Sequence, residues 1–497
     1  MNEKKYMLFD YGASHGRCIV AKFNGETFSM EEVHEFENRP VRYSGTLYWD
    51  ILRLASEVKI GMQKAFKKYP DIVSIGIDTW GCDFGFIDKK GKLLANPANY
   101  RDEWRYMYKP ILDEKMGEYN IFKYGGANTN NIMSLYHMYA LQQEDATELK
   151  YGDKFLMIPD LLNFYLTGIP ANEYTDATMS LMVDQENKVW QSKIIDTLGF
   201  PKEIFSDLVM PGNVLGNIQK SMCEKLEIPS VPVINVASHD TASAIAGVPL
   251  RDKGKKWAFL SLGTWAILGV ESDKIYNDKE TFATGFGNQG GCEGKNNLVN
   301  LITGLWIIQQ CYERWNHKAG EKIGWPAVVE AASNAKGGIA FINPDAADFA
   351  LPNPNMPEVI QKYCIKTGQK APETMGEVAR CVFESLVLKF KDSYEDIVKL
   401  TGEEYELLHI FGGGSKNVLL CQWIADALGI VVKAGPAETT SVGNLLLQMK
   451  GMGDIDNLEQ GRAISGASAD LVEYLPKDKS IWDEYYKSYI DKAKTAL

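Results

Sequence analysis

A chain of 497 residues is longer than one hydrophobic core usually supports, so we expect two large domains. Its composition, 45% hydrophobic and 24% charged, is that of an ordinary globular protein, and no apolar stretch approaches the length of a membrane-spanning helix. The formal net charge of −12 argues against nucleic acid or an anionic membrane as a partner. We therefore expect a cytoplasmic protein in which any phosphate site is built locally.

The first predicted element is a hairpin with a polar tip. Residues 6–9 and 18–23 are apolar strands, and a tight turn rich in glycine and serine joins them. The same arrangement returns at residues 257–270, and each half of the chain has a later strand that ends at glycine, at 74–81 and at 407–415. This similarity over a long period predicts a duplicated fold.

The middle of the chain predicts a buried strand that runs directly into a helix. Residues 231–237 are a nearly continuous apolar run, and small residues follow Thr241. Asp240 lies at the junction, beyond the carboxyl end of the strand, which is where open α/β sheets bind ligands. By its residue type alone, Asp240 is either the N-cap of the helix or a catalytic carboxylate, and both interpretations stay open here.

Paired hairpins with glycine and hydroxyl residues at their turns suit a polyphosphate, because they offer backbone N–H groups and hydroxyls without bulky side chains. A single hairpin of this kind is more often only a turn. Here two are matched, and a triple glycine at 412–414 precedes a predicted helix over residues 417–428. The combination favours a nucleotide ligand.

Other stretches carry weaker signals. Residues 285–290 match GxGxxG, but the loop-like residues 291–296 follow, so no Rossmann site is expected. We expect residues 298–311 to form a helix and residues 481–490 to form an amphipathic helix that packs onto a domain. The eight cysteines include no CxxC pair and the six histidines lack metal-ligand spacing, which favours reduced core thiols over a zinc site.

Motifs in chain order resemble those of the FGGY carbohydrate kinases, and most nearly those of the rhamnulokinase branch. The resemblance covers nearly the whole chain, which makes it more specific than any single motif. The motifs are Asp10–Arg17 (DYGASHGR), Gly76–Phe84 (GIDTWGCDF), Ser238–Ala244 (SHDTASA), Ser261–Trp265 (SLGTW) and Gly412–Gly414 (GGG).

The resemblance implies an α/β fold with two duplicated actin-like (ribonuclease H-like) ATPase domains around a central cleft. Residues 1–246 would be an N-terminal sugar-binding domain, and residues 247–497 a C-terminal nucleotide-binding domain. ATP and Mg²⁺ are the implied cofactors, and a small-molecule ketose is the implied partner. The oligomeric state stays open.

By the same resemblance, Asp240 is the general base that takes the proton from the sugar hydroxyl, and Asp10 is an outer-sphere ligand of Mg²⁺. The residues expected to line the sugar are Gly81, His239, Asp240, Thr241 and Asn300. The residues expected to contact the nucleotide are Ala13, Ser14, His15, Gly16, Arg17, Thr264, Gln309 and Gly413.

The sequence departs from the rhamnulokinase pattern at one point that matters for the sugar. Alignment on Gly304 places Leu301 where that branch has a sugar-contacting Asn, and Asn300 stands one position earlier. A buried polar partner for a hydroxyl discriminates sugars better than an apolar wall does. The segment therefore leaves open which ketose fits.

Three functions are compatible with these patterns. The leading expectation is a ketose kinase that makes a 1-phosphate, with L-rhamnulose first and L-fuculose or another deoxyketose next. An actin-like ATPase without a sugar substrate would share the phosphate turns but would not need Asp240 beside His239 and Thr241. A sugar sensor would bind ketose without turnover, an outcome that an intact Asp240 disfavours.

Overall fold

The computed structural model describes residues 3–252, 254–318 and 322–494. They form an α/β structure in which long strands at the start of each half are followed by helices. The strands are β1 Lys4–Tyr11, β2 His15–Phe23, β3 Phe28–Glu37, β4 Val41–Tyr43, β5 Thr46–Tyr48, β6 Ile72–Thr79, β7 Phe84–Ile87, β8 Lys154–Met157, β9 Asn172–Glu173, β10 Val183–Asp184, β11 Val189–Trp190, β12 Leu208–Val209, β13 Asn213–Asn217, β14 Pro232–Asn235, β15 Trp257–Leu262, β16 Trp265–Ser272, β17 Phe286–Gly290, β18 Asn296–Thr303, β19 Leu407–Phe411, β20 Val431–Ala434 and β21 Val472–Tyr474.

The helices range from single turns to a helix of 27 residues. They are α1 Ile51–Lys68, α2 Lys109–Met116, α3 Glu118–Gly125, α4 Ser134–Gln143, α5 Thr147–Tyr151, α6 Ile158–Thr167, α7 Tyr174–Ala177, α8 Ser192–Leu198, α9 Lys220–Leu226, α10 Asp240–Ala246, α11 Lys279–Thr284, α12 Trp306–Lys318, α13 Trp325–Asn334, α14 Met356–Lys366, α15 Met375–Thr401, α16 Val418–Leu428, α17 Thr439–Gly451, α18 Leu458–Ser468 and α19 Ser480–Tyr489. Among the described ranges, no helix combines the length and the apolar character that crossing a membrane requires.

The chain divides into two compact units, and each is discontinuous in sequence. The first contains 1–251, 271–298 and 439–469, and the second contains 252–270, 299–438 and 470–497. The division expected after residue 246 was a single cut and stays a prediction, whereas here two later segments, 271–298 and 439–469, belong to the first unit. One of them carries α17, which packs against α10 and against β1 and β6 of the first unit.

The two units repeat one sheet topology. In the first, β1 pairs antiparallel with β2 and parallel with β6, and the sheet continues through β14 to β13. In the second, β15 pairs antiparallel with β16 and parallel with β19, and the sheet continues through β20 to β21. The predicted duplication is therefore confirmed, and both predicted hairpins are its first two strands.

The central strands of these sheets are buried because both of their faces are apolar. In β1 the six residues from Tyr6 to Tyr11 are all buried, and β19 is buried throughout. Such continuous apolar runs are typical of sheets that are covered by helices on both faces. All eight cysteines are buried and form no disulfide, which agrees with the expected core thiols.

In the region after residue 285, one sequence prediction needs correction and another agrees with the structure. The predicted helix over residues 298–311 was wrong in its first half, because β18 extends to Thr303 and α12 begins only at Trp306. The GxGxxG stretch forms the strand β17 instead of a strand-to-helix turn, which agrees with the rejection of a Rossmann site. A short apolar run is compatible with either a strand or a helix, so periodicity alone did not separate them.

Candidate active site

The strand-helix junction around Asp240 lies beyond the carboxyl ends of β14 and β6. β14 ends at Asn235, α10 begins at Asp240, and residues 236–239, which include Ser238 and His239, connect them. The backbone N–H of Thr79, the last residue of β6, donates to the carbonyl of Ser238 at 2.8 Å. The junction is thus fastened to the central strands of its sheet.

Asp240 is not the N-cap of α10. The cap position belongs to His239, and Asp240 is the first helical residue. Its side chain is 35% exposed, and one carboxylate oxygen accepts a hydrogen bond from the Thr241 hydroxyl at 3.2 Å. Partial burial raises the pKa of Asp240 to about 6, against the lowering effect of its hydrogen bonds with Thr241. An accessible carboxylate with a pKa in this range suits a general base near neutral pH.

His239 is a neutral neighbour of this carboxylate. The ring is 5% exposed, and burial lowers the pKa of His239 to about 4. Its Nε2 lies 3.5 Å from Oδ1 of Asp240, and its Nδ1 has no hydrogen-bond partner among the described residues. At neutral pH the ring therefore adds no charge beside Asp240.

Gly81 contacts the same group of residues. A Cβ atom placed on Gly81 would lie 3.1 Å from Cδ2 of His239 and 3.1 Å from Oδ1 of Asp176. Any side chain would have to displace these neighbours. The structure thus places Gly81, His239, Asp240 and Thr241 together, and their contact with a sugar stays a prediction.

Asn38, which follows β3, holds the turn of the first hairpin by hydrogen bonds. The carbonyl of Gly12 accepts from the side-chain amide of Asn38 at 2.9 Å, and the carbonyl of Ser14 accepts from the backbone N–H of Asn38 at 2.8 Å. Ser14 and His15 are exposed at its tip, with Ala13 partly exposed. Gly16 is buried, and a Cβ there would lie 2.3 Å from the Phe36 ring, so this glycine serves close packing.

Asp10 lies at the end of β1 within a polar network. Its Oδ2 accepts from Nη2 of Arg17 at 2.9 Å and from the Ser441 hydroxyl at 2.7 Å. Asp78 is the register partner of Asp10 on β6, and its Oδ2 accepts from the Asn444 amide at 2.6 Å. Burial, and next the charge of Asp10, raise the pKa of Asp78. Helix α17 thus supplies polar partners to both carboxyl groups, which sequence reasoning missed.

These carboxyl groups bear on the expected Mg²⁺. Within the described ranges, no three His, Cys, Asp or Glu side chains cluster as metal ligands. Mg²⁺ in phosphoryl-transfer sites is commonly held by one or two carboxylates together with water and substrate phosphates, so it does not need a full protein cage. Asp10, with Asp78 as its register partner, fits that limited role.

In the second unit, one cavity brings together the predicted nucleotide residues. Thr264, Gln309 and Gly413 all line a cavity of about 1060 Å³. Its exposed lining is largely apolar, and polar side chains such as Glu330, Lys416 and Asn417 are interspersed with the apolar ones, a mixture that suits a cofactor-sized ligand. The wall residues include Leu305, Ile308, Trp325, Pro326, Val329, Phe383 and Leu419.

Gly413 and Gly414 of the triple glycine line this cavity, and Gly412 precedes them. Gly412 has a φ of 81°, and a Cβ there would lie 2.9 Å from the carbonyl oxygen of Leu262. This left-handed conformation favours glycine, and the close approach leaves no room for a side chain. Gly413 has open space around its Cα, so its backbone faces the cavity without obstruction.

Asn300 belongs to the second unit, whereas Asp240 belongs to the first. Asn300 is 7% exposed on β18, and its amide donates to the Ser393 hydroxyl at 3.4 Å. This long hydrogen bond leaves most of the amide's hydrogen-bonding capacity for another partner. The expected sugar contact of Asn300 stays a prediction.

Comparison with protein families covers most of the chain. Residues 5–247 match the model described as the FGGY family of carbohydrate kinases, N-terminal domain. Residues 258–452 match the C-terminal domain of the same family.

Curated relatives are similar over nearly their full length. The chain is 34% identical to a rhamnulokinase of Bacteroides thetaiotaomicron over 484 aligned residues. The aligned region covers 97% of this chain and 98% of the relative. It is 34% identical to a rhamnulokinase of Halalkalibacterium halodurans, over 95% of this chain and 99% of the relative. It is 32% identical to a rhamnulokinase of Pectobacterium atrosepticum, over 98% and 96% of the two chains.

Solved structures show the same fold at low identity. A gluconate kinase from Lactobacillus acidophilus has a TM-score of 0.82 at 16% identity, over 99% of this chain and 97% of the other. A glycerol kinase from Plasmodium falciparum, solved with ADP, has a TM-score of 0.80 at 15% identity, over 100% and 99% of the two chains. These likenesses support the duplicated two-domain α/β fold.

Proposed function

Because this chain belongs to the FGGY family of carbohydrate kinases and is an ATP-dependent sugar kinase, we propose that it transfers the γ-phosphate of ATP to O1 of L-rhamnulose. The products are L-rhamnulose 1-phosphate and ADP. The observation that carries this choice of sugar is the 34% identity to a rhamnulokinase over 97% of the chain.

Asp240 acts as the general base in the proposed reaction. Its carboxylate takes the proton of the O1 hydroxyl as that oxygen attacks the γ-phosphorus, so that the new O–P bond forms while the bond to the β-phosphate oxygen breaks. The geometry that supports this role is the partly exposed carboxylate at the first residue of α10, with a pKa of about 6. Gly81, His239 and Thr241 surround the sugar.

The nucleotide occupies the cavity of the second unit in this proposal. Thr264 and Gln309 provide polar contacts, and Gly413 offers backbone N–H. The residues proposed on the phosphate side are Ala13, Ser14, His15, Gly16 and Arg17. Phosphoryl transfer asks the protein mostly to align the attacking oxygen and to offset charge, which these groups suit.

Mg²⁺ bound to the nucleotide would neutralise charge on the phosphates. Asp10 would hold it through water, the role that the FGGY resemblance implies, and Oδ2 of Asp10 accepts hydrogen bonds from Arg17 and Ser441.

A ketose panel tests the sugar. ADP production would be measured by a coupled assay with L-rhamnulose, L-fuculose, L-ribulose and D-xylulose, and the product of the best substrate would be assigned by phosphorus NMR. We expect L-rhamnulose to have the highest kcat/KM and to carry the phosphate on O1. A higher kcat/KM for another ketose would reject the sugar, and ADP release without any ketose would reject sugar phosphorylation as the activity.

A further inference from the structure

Glu173 lies directly behind the junction that carries Asp240. It ends β9, is completely buried, and is 65 residues from Ser238 along the chain. Its Oε2 accepts hydrogen bonds from the backbone N–H of Ser238 at 3.0 Å and from the Ser238 hydroxyl at 2.7 Å. One buried carboxylate thus holds the residue two positions before Asp240.

Thr175 extends this contact to the next residue. Its hydroxyl donates to Oε2 of Glu173 at 2.5 Å and accepts from the backbone N–H of His239 at 3.3 Å. Its own backbone N–H donates to Oε1 of Glu173 at 3.0 Å. A continuous chain of hydrogen bonds therefore runs from the His239 backbone through the Thr175 hydroxyl to Glu173.

The backbone of Ser238 and His239 is fixed at every polar group. Their two N–H groups donate to Glu173 and to Thr175. The carbonyl of Ser238 accepts from Thr79, and the carbonyl of His239 accepts from the N–H of Ser243 at 3.0 Å. All four backbone groups of the two residues are therefore hydrogen-bonded, and these bonds constrain the direction in which α10 begins.

A carboxylate is the side chain that suits this position. Glu173 faces backbone N–H donors from Thr175, Asp176 and Ser238, and an ionised carboxylate only accepts hydrogen bonds. Burial raises the pKa of Glu173 above its ordinary value, and the hydrogen bonds from Thr175 and Ser238 only partly offset this rise. An amide at this position would turn its own N–H₂ group toward one of the donors, and that donor would then have no acceptor.

We propose that Glu173 and Thr175 are positioning residues for catalysis, which orient the Asp240 carboxylate by holding the backbone of Ser238 and His239. This rests on the proposed function, in which Asp240 is the base. A displacement of about 1 Å at a reacting group can cost ~10²-fold in rate, so the loss of this hold lowers turnover even when the protein stays folded.

Thr175 offers the sharpest pair of variants. Thr175→Val removes the hydroxyl at nearly constant volume, and Thr175→Ser keeps it. We expect Thr175→Val to lower kcat by ~10–100-fold with KM for ATP nearly unchanged, and Thr175→Ser to stay within ~3-fold of the original kcat. A Thr175→Ser variant as impaired as Thr175→Val, with both folded, would show that shape rather than the hydrogen bond matters and would overturn the proposal.

Glu173→Gln tests the acceptor at the other end of the chain of hydrogen bonds. We expect a similar loss of kcat. The double variant with Thr175→Val should lose no more than the worse single variant, because both changes break one chain of contacts. Losses of the two single variants that multiply would contradict a shared role. If Glu173→Gln does not fold, the two Thr175 variants decide the question alone.

The matched control is Glu384→Gln in the second unit. Glu384 is 1% exposed and accepts from the Gly338 N–H at 2.9 Å and from Arg380 at 2.7 Å, so it is also a buried, hydrogen-bonded carboxylate. We expect this variant to lower the melting temperature without lowering kcat below that temperature. A fall in kcat as large as that of Glu173→Gln would show that loss of any buried carboxylate is enough, and would overturn the proposal.

Asp240→Asn separates failure of the proposal from failure of the proposed function. If Asp240→Asn is inactive while Thr175→Val and Glu173→Gln keep full kcat, the positioning role is wrong and the base assignment stands. If Asp240→Asn keeps its turnover, the base assignment itself is wrong. In Thr175→Val and Glu173→Gln, the pH midpoint of kcat/KM should stay near 6, while the maximal kcat/KM above that pH should fall. The reason is that the base is displaced rather than removed.

Discussion

The junction around Asp240 and the cavity around Gly413 differ in the kinds of side chain that form them. The junction is polar, and its geometry depends on buried side chains such as Glu173 and Thr175 that bond to backbone groups. The exposed lining of the cavity is largely apolar and includes a glycine turn, with polar side chains such as Thr264 and Gln309 among the apolar ones.

The difference follows from what each region has to do. A base must point its charge in one direction, and buried hydrogen bonds fix directions, although every buried polar group must find a partner to offset its desolvation. A binding cavity needs shape and apolar area, with polar groups only where the ligand has them. We therefore expect changes at the junction to act on kcat and changes at the cavity to act on KM for ATP.

The largest expected effect is that of Asp240→Asn. Loss of the base should lower kcat by ~10²–10⁴-fold, while the affinity for ATP, measured by calorimetry, stays nearly unchanged. Because Asp240 does not cap α10, the melting temperature should change little. Near-normal turnover that depends on sugar would contradict the role as base.

The pH dependence of kcat/KM is a second test of Asp240 as the general base. Asp240 accepts a proton only when it is ionised, and its pKa is raised to about 6, so kcat/KM should fall as the pH falls through about 6. At one pH unit below the pKa, about a tenth of the molecules hold the carboxylate, which predicts a fall of ~10-fold. The measurement is kcat/KM from pH 4.5 to 8, with circular dichroism to verify folding at each pH. A flat profile down to pH 5 would rule out this base.

Gly412→Ala should act on the cavity and leave the junction intact. A side chain at φ 81° is strained by about 1–3 kcal/mol, and it would also press on the Leu262 carbonyl. We expect KM for ATP to rise by ~10-fold, with KM for the ketose within ~2-fold of its original value.

Gly402→Ala is the matched control for this change. Gly402 has a φ of 69° but open space around its Cα, at the end of α15. It should lose some stability without a change in KM for ATP. An equal rise in KM for ATP in both variants would show that backbone strain alone, not the shape of the cavity, is responsible.

The smallest expected effect belongs to Asn300. If its amide contacts the sugar, Asn300→Ala should raise KM for the best ketose by ~3–10-fold, as the loss of one hydrogen bond of about 1 kcal/mol implies, and should leave KM for ATP unchanged. Ser393→Ala removes only the partner observed in the structure and is the control. An identical change in both variants would assign Asn300 to local packing.

Leu301→Asn tests the neighbouring position. If the pocket is apolar there, the new amide should move preference toward L-rhamnulose by ~1–3 kcal/mol, measured as a ratio of kcat/KM values over the ketose panel. An unchanged ranking of ketoses in this variant and in Asn300→Ala would place specificity elsewhere.

The sequence by itself determined the elements whose signals are local. Both hairpins, the strand ending at Gly412 and the helix Val418–Leu428 follow from apolar runs and from glycine at turns, and the structure confirms them. The motifs also identified the family. These features are predictable because each depends on residues that are close together in the chain.

Only the tertiary structure decided which distant segments meet. It returns helix α17 to the first unit, where Ser441 bonds Asp10 and Asn444 bonds Asp78. It joins Glu173 to Ser238 across 65 residues, and it makes a strand of Asn296–Thr303 where periodicity favoured a helix. The physical reason is that burial and hydrogen bonding between remote segments, rather than the preferences of adjacent residues, determine these contacts.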